Sequence, residues 1–205
     1  KRANMPVYQL LGGKCREGAA VYSHAGGSSP EEVVDSVREF MDKGYRYIRV
    51  QQGGYGGKAT QMVKPENAPD GAYFDRKEYM RNHLRMFEQI RKDVGDEVEL
   101  LHDIHERLHP IEAVGFAKDV EQFKLFFLED ALAPEDIEWF KNIRQQCSTP
   151  QAMGELFNHP REWTPLVEGR LIDFMRMHVS QMGGITPARN IAAFGNLYGV
   201  RTAWH

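Results

Sequence analysis

Residues 98–108 read VELLHDIHERL, an apolar run that ends in ionisable groups. Val98, Leu100 and Leu101 predict a buried strand, with Asp103, His105 and Glu106 at its C-terminal end. Side chains alternate between the two faces of a strand, so Asp103 and His105 are expected on one face and His102 on the other. The acids Asp103, Glu129 and Glu155 follow one another at intervals of 26 residues. Glu129 closes the run LFFLE (125–129), and Glu155 closes QAMGE (151–155). A carboxylate often caps the helix after a strand. Capping alone gives no reason for three acids to recur at the same strand-end position.

The rest of the chain repeats this unit. Residues 5–13 (MPVYQLLGG) predict a short helical lead with a Gly-Gly stop. Residues 18–24 predict a first strand, closed by Ala25-Gly26-Gly27. Ser29 then reads as a helix N-cap, with Pro30 at the first helical position and Glu32 three residues after the cap. Residues 45–50 (YRYIRV) predict the second strand. Residues 52–72 are Gly-rich and long for a strand-to-helix connection, which predicts a functional or mobile loop. Helical patterns over 75–94, 110–122, 134–146, 160–168 and 186–198 alternate with strand patterns at 126–129, 152–155, 172–178 and 200–205.

Seven strands therefore alternate with helices at a period near 25 residues. Their end markers are His24, Arg49, Asp103, Glu129, Glu155, Arg176 and His205, all polar and ionisable. Strict alternation predicts an α/β fold with a parallel sheet. Polar groups at the C-terminal ends of many strands favour a (β/α)8 TIM-type barrel, because a closed barrel brings those ends around one pocket. A doubly wound sheet is the second choice, weakened by the lack of a GxGxxG turn after the first strand. The domain reading is a lead-in over residues 1–16 and a catalytic barrel over 17–205, one strand short. With no initiator Met and a strand cut at Trp204-His205, the chain is expected to be the middle of a longer protein, without an N-terminal capping domain and a C-terminal segment.

Composition narrows the function. The 205 residues are 41% hydrophobic and 27% charged, enough for one full core. The net charge of −3 gives no basic field for nucleic acid. No apolar run reaches the ~18 residues of a membrane span, and no signal peptide is recognisable. Cys15 and Cys147 read as reduced thiols, which predicts a cytoplasmic protein. The expected partner is a small molecule rather than nucleic acid or membrane, and the expected assembly is a homo-oligomer.

Three carboxylates without paired cysteines describe a hard oxygen site, which favours Mg2+ over Mn2+ and both over zinc. A cation between the carboxylates relieves their mutual repulsion. Its open positions suit a substrate carboxylate or hydroxyl, where it stabilises the negative charge left when a proton departs from the adjacent carbon. His105 is expected beside the metal as a general acid. Arg49 and Arg176 are suited to binding a carboxylate or lowering a neighbouring hydroxyl's pKa. Tyr55 sits between four glycines, a loop able to bring its phenol close to a ligand. His102, His109 and His159 read as structural or solvent-exposed.

The segments LHDIHER (101–107), FLED (127–130) and GELFN (154–158) together resemble the enolase superfamily, and within it the mannonate dehydratase group, which includes starvation-sensing relatives. The resemblance runs from PVYQLLGGKCR (6–16) to TAWH (202–205). It implies Asp103, Glu129 and Glu155 as Mg2+ ligands, Tyr55 assisted by Arg49 as the base, and His105 as the acid. It implies His24, Arg176 and His205 as contacts to an acid-sugar substrate. The implied reaction is dehydration of D-mannonate to 2-keto-3-deoxy-D-gluconate; some relatives act on D-gluconate. Many barrels of the superfamily carry Lys-x-Lys at the end of the second strand. Arg49-Val50-Gln51 fills that spacing here, which argues against racemase or cycloisomerase chemistry. A metal-binding relative with little dehydratase activity and a regulatory role remains the alternative, and turnover of a panel of acid sugars separates the two.

Overall fold

In the computed structural model, residues 1–54, 64–71 and 73–205 are described. Seven parallel strands form one sheet in the order β1 to β7: Tyr22–Gly27, Tyr47–Gln52, Glu99–Asp103, Phe127–Glu129, Gln151–Met153, Phe174–Met175 and Arg201–Thr202. Sequential order rules out the doubly wound alternative, in which the strand order reverses. The helices are α1 (Val7–Leu10), α2 (Pro30–Asp42), α3 (Arg76–Val94), α4 (Pro110–Asp119), α5 (Ile137–Gln146), α6 (Pro160–Glu168) and α7 (Ile185–Tyr198).

The sheet curls as a barrel does. Its inner face gathers Leu101, Phe127, Ala152 and Phe174, with Tyr22, Tyr47 and Ala203 packed against them. Arg176, just after β6, donates to the hydroxyl of Tyr22 on β1 at 2.6 Å. The outer face and the helices enclose the larger core, including Val33, Val37, Ile48, Phe87, Leu100, Phe116, Leu128 and Met153. Among the described residues, no helix is long and apolar enough to cross a membrane.

Local chemistry sets the helix starts. Ser29 Oγ accepts from the backbone N–H of Glu32, and Glu32 accepts from that of Ser28, with Pro30 opening α2. Asp75 caps α3 by accepting from the N–H groups of Lys77 and Glu78. The carboxylates of Glu112 and Glu162 accept from the N–H of His109 and His159 at the starts of α4 and α6.

Several boundaries differ from the sequence expectation. β1 starts at Tyr22, not at residue 18, and residues 1–21 are exposed throughout. It continues through Gly26-Gly27, which was read as its stop. These glycines pair with Gln51 and Gln52. A Cβ on Gly27 would lie 2.6 Å from Cβ of Glu32, so glycine lets the strand end meet the first turn of α2. β6 and β7 are shorter than the strands expected over 172–178 and 200–205.

A buried polar network ties α3 to the outer side of β2 and β3. His83 Nε2 accepts from the N–H of Gln52 at 3.4 Å, so its Nδ1 carries the hydrogen that bonds the Tyr79 carbonyl at 2.8 Å. His102 Nδ1 donates to the Val50 carbonyl, which leaves Nε2 to accept from the Tyr79 hydroxyl; both bonds are 2.8 Å. Burial holds His83 down at about 4 and His102 well below the ordinary imidazole value. An unfolded imidazole titrates near ~6.5. The stability of neutral His83 is thus present above that pH and lost as pH falls toward 4, because the unfolded chain takes the proton first. The unfolding free-energy difference between the parent and His83→Gln should shrink between pH 7 and pH 4 in urea titrations. A constant difference would contradict this account.

Candidate functional site

The register of β3 and β4 places Asp103 directly beside Glu129. Both are fully buried. Each has an arginine partner. Arg49, on β2, donates to Asp103 Oδ2 at 2.8 Å, and Arg176 Nε donates to Glu129 Oε1 at 2.7 Å. Glu155 follows β5 after Gly154, whose φ is +145°. A Cβ at Gly154 would lie 2.9 Å from Met177 Cγ and 3.2 Å from the Arg176 backbone. Glycine there lets the end of β5 fold closely over β6 and carry Glu155 to the strand ends.

Two histidines converge on Glu155. His105 Nε2 lies 3.3 Å from its Oε1 and 3.8 Å from Asp103 Oδ2. His205 Nε2 lies 2.9 Å from Glu155 Oε2. Ligand atoms of Glu129, Glu155 and His205 all lie within 4.8 Å of one another, close enough to share one cation. Asp103 adjoins this group through Glu129 and His105. Its Oδ1 accepts from the N–H of His105 at 2.9 Å.

The carboxylates are short of positive charge. Glu129 Oε2 and both carboxylate oxygens of Asp130 are buried with no hydrogen-bond partner among the described residues. Burial pushes Glu129 up to about 7, against the pull of Arg176 and with a push from Asp103. Burial and the neighbouring Glu129, Asp103 and Glu155 push Asp130 up to about 9. Buried carboxylate oxygens without partners are costly unless a cation or donor meets them. An oxygen-rich donor set with an orphaned buried acceptor fits a hard divalent cation.

The expected residues reach the site by different routes. His105 is beside the carboxylates, though not by strand alternation. β3 ends at Asp103, and His105 and Glu106 adopt left-handed conformations, with φ of 58° and 57°. The bond from the His105 N–H to Asp103 closes that turn. His24 pairs in register with Arg49, is exposed, and stacks on Tyr22 with ring centroids 5.3 Å apart. Partial desolvation of its ring against the strand ends, with the charges of Arg49, Arg176 and His205, holds it down at about 4. Burial, Arg176 and His178 also lower His205.

Arg176 was expected to bind substrate, but its side chain is fully buried and turned into the protein. Besides Glu129 it donates to the carbonyls of Ala203 and Trp204 and to the Tyr22 hydroxyl. It ties the ends of β4, β6 and β7 to β1 and counters the charge of Glu129. Tyr55 lies outside the described residues, as do residues 56–63 and 72 of the loop expected over 52–72. At its start, the Gly54 carbonyl accepts from Arg107 at 3.1 Å.

Sequence reasoning passed over Asp130 and His178. Alternation turns Asp130 outward, yet its positive φ of 44° departs from strand geometry. His178 follows Arg176 by two residues, so period-2 counting along the strand expected over 172–178 would have found it. An apolar cavity of about 410 Å³, lined by Tyr22, Leu101, Phe127, Phe174, Trp204 and His205 among others, shows a wall chemistry unsuited to a polyhydroxylated anion.

The family model described as Enolase C-terminal domain-like matches residues 32–205. A D-galactonate dehydratase family member of Enterocloster bolteae is 53% identical over all of this chain and 52% of its own length. A D-mannonate dehydratase of Caulobacter is 43% identical, again over the whole chain and 53% of its own length. The crystal structure of an enolase from Pantoea ananatis with bound D-gluconate and Mg superposes with a TM-score of 0.91 at 50% identity, over the whole chain and 53% of that protein. The chain thus spans about half the length of the relatives it matches.

The buried pair of Arg176 and Glu129 makes a direct prediction. Arg176→Met leaves the Glu129 carboxylate buried and unpaired, which should lower the unfolding free energy by about 3–5 kcal/mol. Chemical denaturation measures it; a change below ~1 kcal/mol would show that Glu129 does not depend on the guanidinium.

Proposed function

Because the chain belongs to the Enolase C-terminal domain-like family, we propose that it carries the metal and acid–base groups of a Mg2+-dependent acid-sugar dehydratase. The observation that carries this reading is the buried Asp103–Glu129 pair beside Glu155, with Glu129 Oε2 lacking a hydrogen-bond partner among the described residues. Asp103, Glu129 and Glu155 would hold the ion; these oxygen donors suit Mg2+ better than a set completed by His205 would. Bound there, Mg2+ supplies positive charge that offsets the negative charge developing on a substrate carboxylate.

The chain's own residues divide the remaining work. His105 is half-exposed beside Asp103 and Glu155, and its backbone is fixed by the turn that Asp103 closes. An imidazole so held can give a proton to a hydroxyl leaving from carbon 3 as water. Tyr55 is the proposed base for the proton on carbon 2. The positive charge of Arg49, on β2, would favour a phenolate. Arg176 positions Glu129. His24 and His205 line the strand-end face and offer polar contacts for sugar hydroxyls.

Loss of the carbon-2 proton and the carbon-3 hydroxyl yields a 2-keto-3-deoxy acid. D-Gluconate and D-mannonate differ only at carbon 2, so both lead to the same product, and only substrate consumption separates them. The relatives' names and the ligand of the Pantoea structure support D-gluconate and D-galactonate ahead of D-mannonate.

The test is keto-acid formation from D-gluconate, D-galactonate and D-mannonate, with Mg2+ and with excess chelator. Turnover of at least one acid, abolished by chelator, is expected. His105→Asn should lower dehydration by roughly 10²–10⁴-fold, the usual contribution of a general acid, and still exchange the carbon-2 proton with solvent deuterium. Binding without turnover of any of the three would favour a regulatory, non-catalytic role.

A further inference from the structure

We infer that His178 is a positioning residue that holds the His205 ring against Glu155. The inference rests on the proposed function only for its catalytic consequence. His178 lies two residues beyond Arg176, in the segment that leaves β6. Its ring centroid is 4.0 Å from that of His205, at an interplanar angle of 50°. His205 turns Nε2 onto Glu155 Oε2 at 2.9 Å.

The His205 side chain is 33% exposed and follows a strand of only two residues. Its N–H donates to the Met177 carbonyl at 3.2 Å. The ring is directed by the Glu155 carboxylate at its Nε2 and by the His178 ring packed against it.

His178 is itself held. Its carbonyl accepts from the N–H of Met182, and the Val179 carbonyl accepts from the N–H of Gly184, in the tight turn that leads to α7. The turn thus fixes the backbone of His178, the His178 ring packs on that of His205, and His205 meets one oxygen of Glu155. The other oxygen remains directed to His105. A carboxylate held at both oxygens keeps one rotamer, the precondition for holding a ligand at a defined place.

The role separates by chemistry at position 178. Phenylalanine keeps a ring face and removes the polar atoms. Asparagine keeps polarity and removes the ring. Alanine removes both. Ring packing predicts that His178→Phe retains turnover within about twofold. His178→Ala and His178→Asn should lose about ten- to a hundredfold in kcat, the scale of a ~1 Å misplacement in a site. KM should move little.

A second readout needs neither metal nor substrate. In the metal-free protein, the His205 ring proton signals, assigned with His205→Asn, should carry a ring-current shift. That shift should persist in His178→Phe and collapse in His178→Ala. Loss of turnover in His178→Phe with retention in His178→Asn would overturn the inference in favour of a hydrogen-bonding role. Unchanged His205 signals in His178→Ala would also overturn it. If the parent turns over no acid sugar, the proposed function fails, while the ring signals still decide the role of His178.

Discussion

Two carboxylates sit side by side on neighbouring parallel strands, buried from water, and the site is arranged around the cost of that placement. Asp103 and Glu129 repel one another in a region of low dielectric. Arg49 offsets one and Arg176 the other. The compensation is incomplete, since Glu129 keeps an oxygen without a partner among the described residues and a pKa raised to about 7. A site that has so much negative charge close together and leaves a buried acceptor open is preorganised for a cation. The backbone turns left-handed at His105, Glu106 and Asp130 on leaving β3 and β4.

The barrel-like curl makes this arrangement possible. Strand order fixes which end meets which, and parallel pairing puts every C-terminal end on one side. Arg176 reaches from the end of β6 to Glu129, to Tyr22 on β1 and to two carbonyls beside β7. One side chain thus couples the charge balance of the site to the curvature of the sheet. On the opposite face, the Tyr79–His102–His83 network binds β2 and β3 to α3, so Asp103 is held by the packing of its own strand.

The features legible in the sequence were those with a period. The 26-residue spacing of Asp103, Glu129 and Glu155 reported a repeating strand–helix unit, and the Ser29-Pro30-Glu32 pattern reported the start of α2. Both depend on local geometry. The extent of β1 was not legible, because Gly26-Gly27 carries the signature of a turn and only pairing with β2 keeps it extended. Nor was the reach of Arg176, since strand position cannot tell an arginine open to ligand from one neutralising a buried acid. His105 lies near Glu155 through a left-handed turn, where strand alternation was the expected route. His83, Asp130 and His178 act through contacts between distant segments, which no local pattern reports.

The central claim is that the three acids converge on one divalent cation. The most direct test is anomalous diffraction from crystals of the protein soaked in Mn2+, a heavier stand-in for Mg2+ with the same preference for oxygen. The account predicts one peak bonded to carboxylate oxygens of Asp103, Glu129 and Glu155, at about 2.0–2.2 Å or slightly longer for the larger ion. A peak held chiefly by histidines, or none at these three residues, would contradict it.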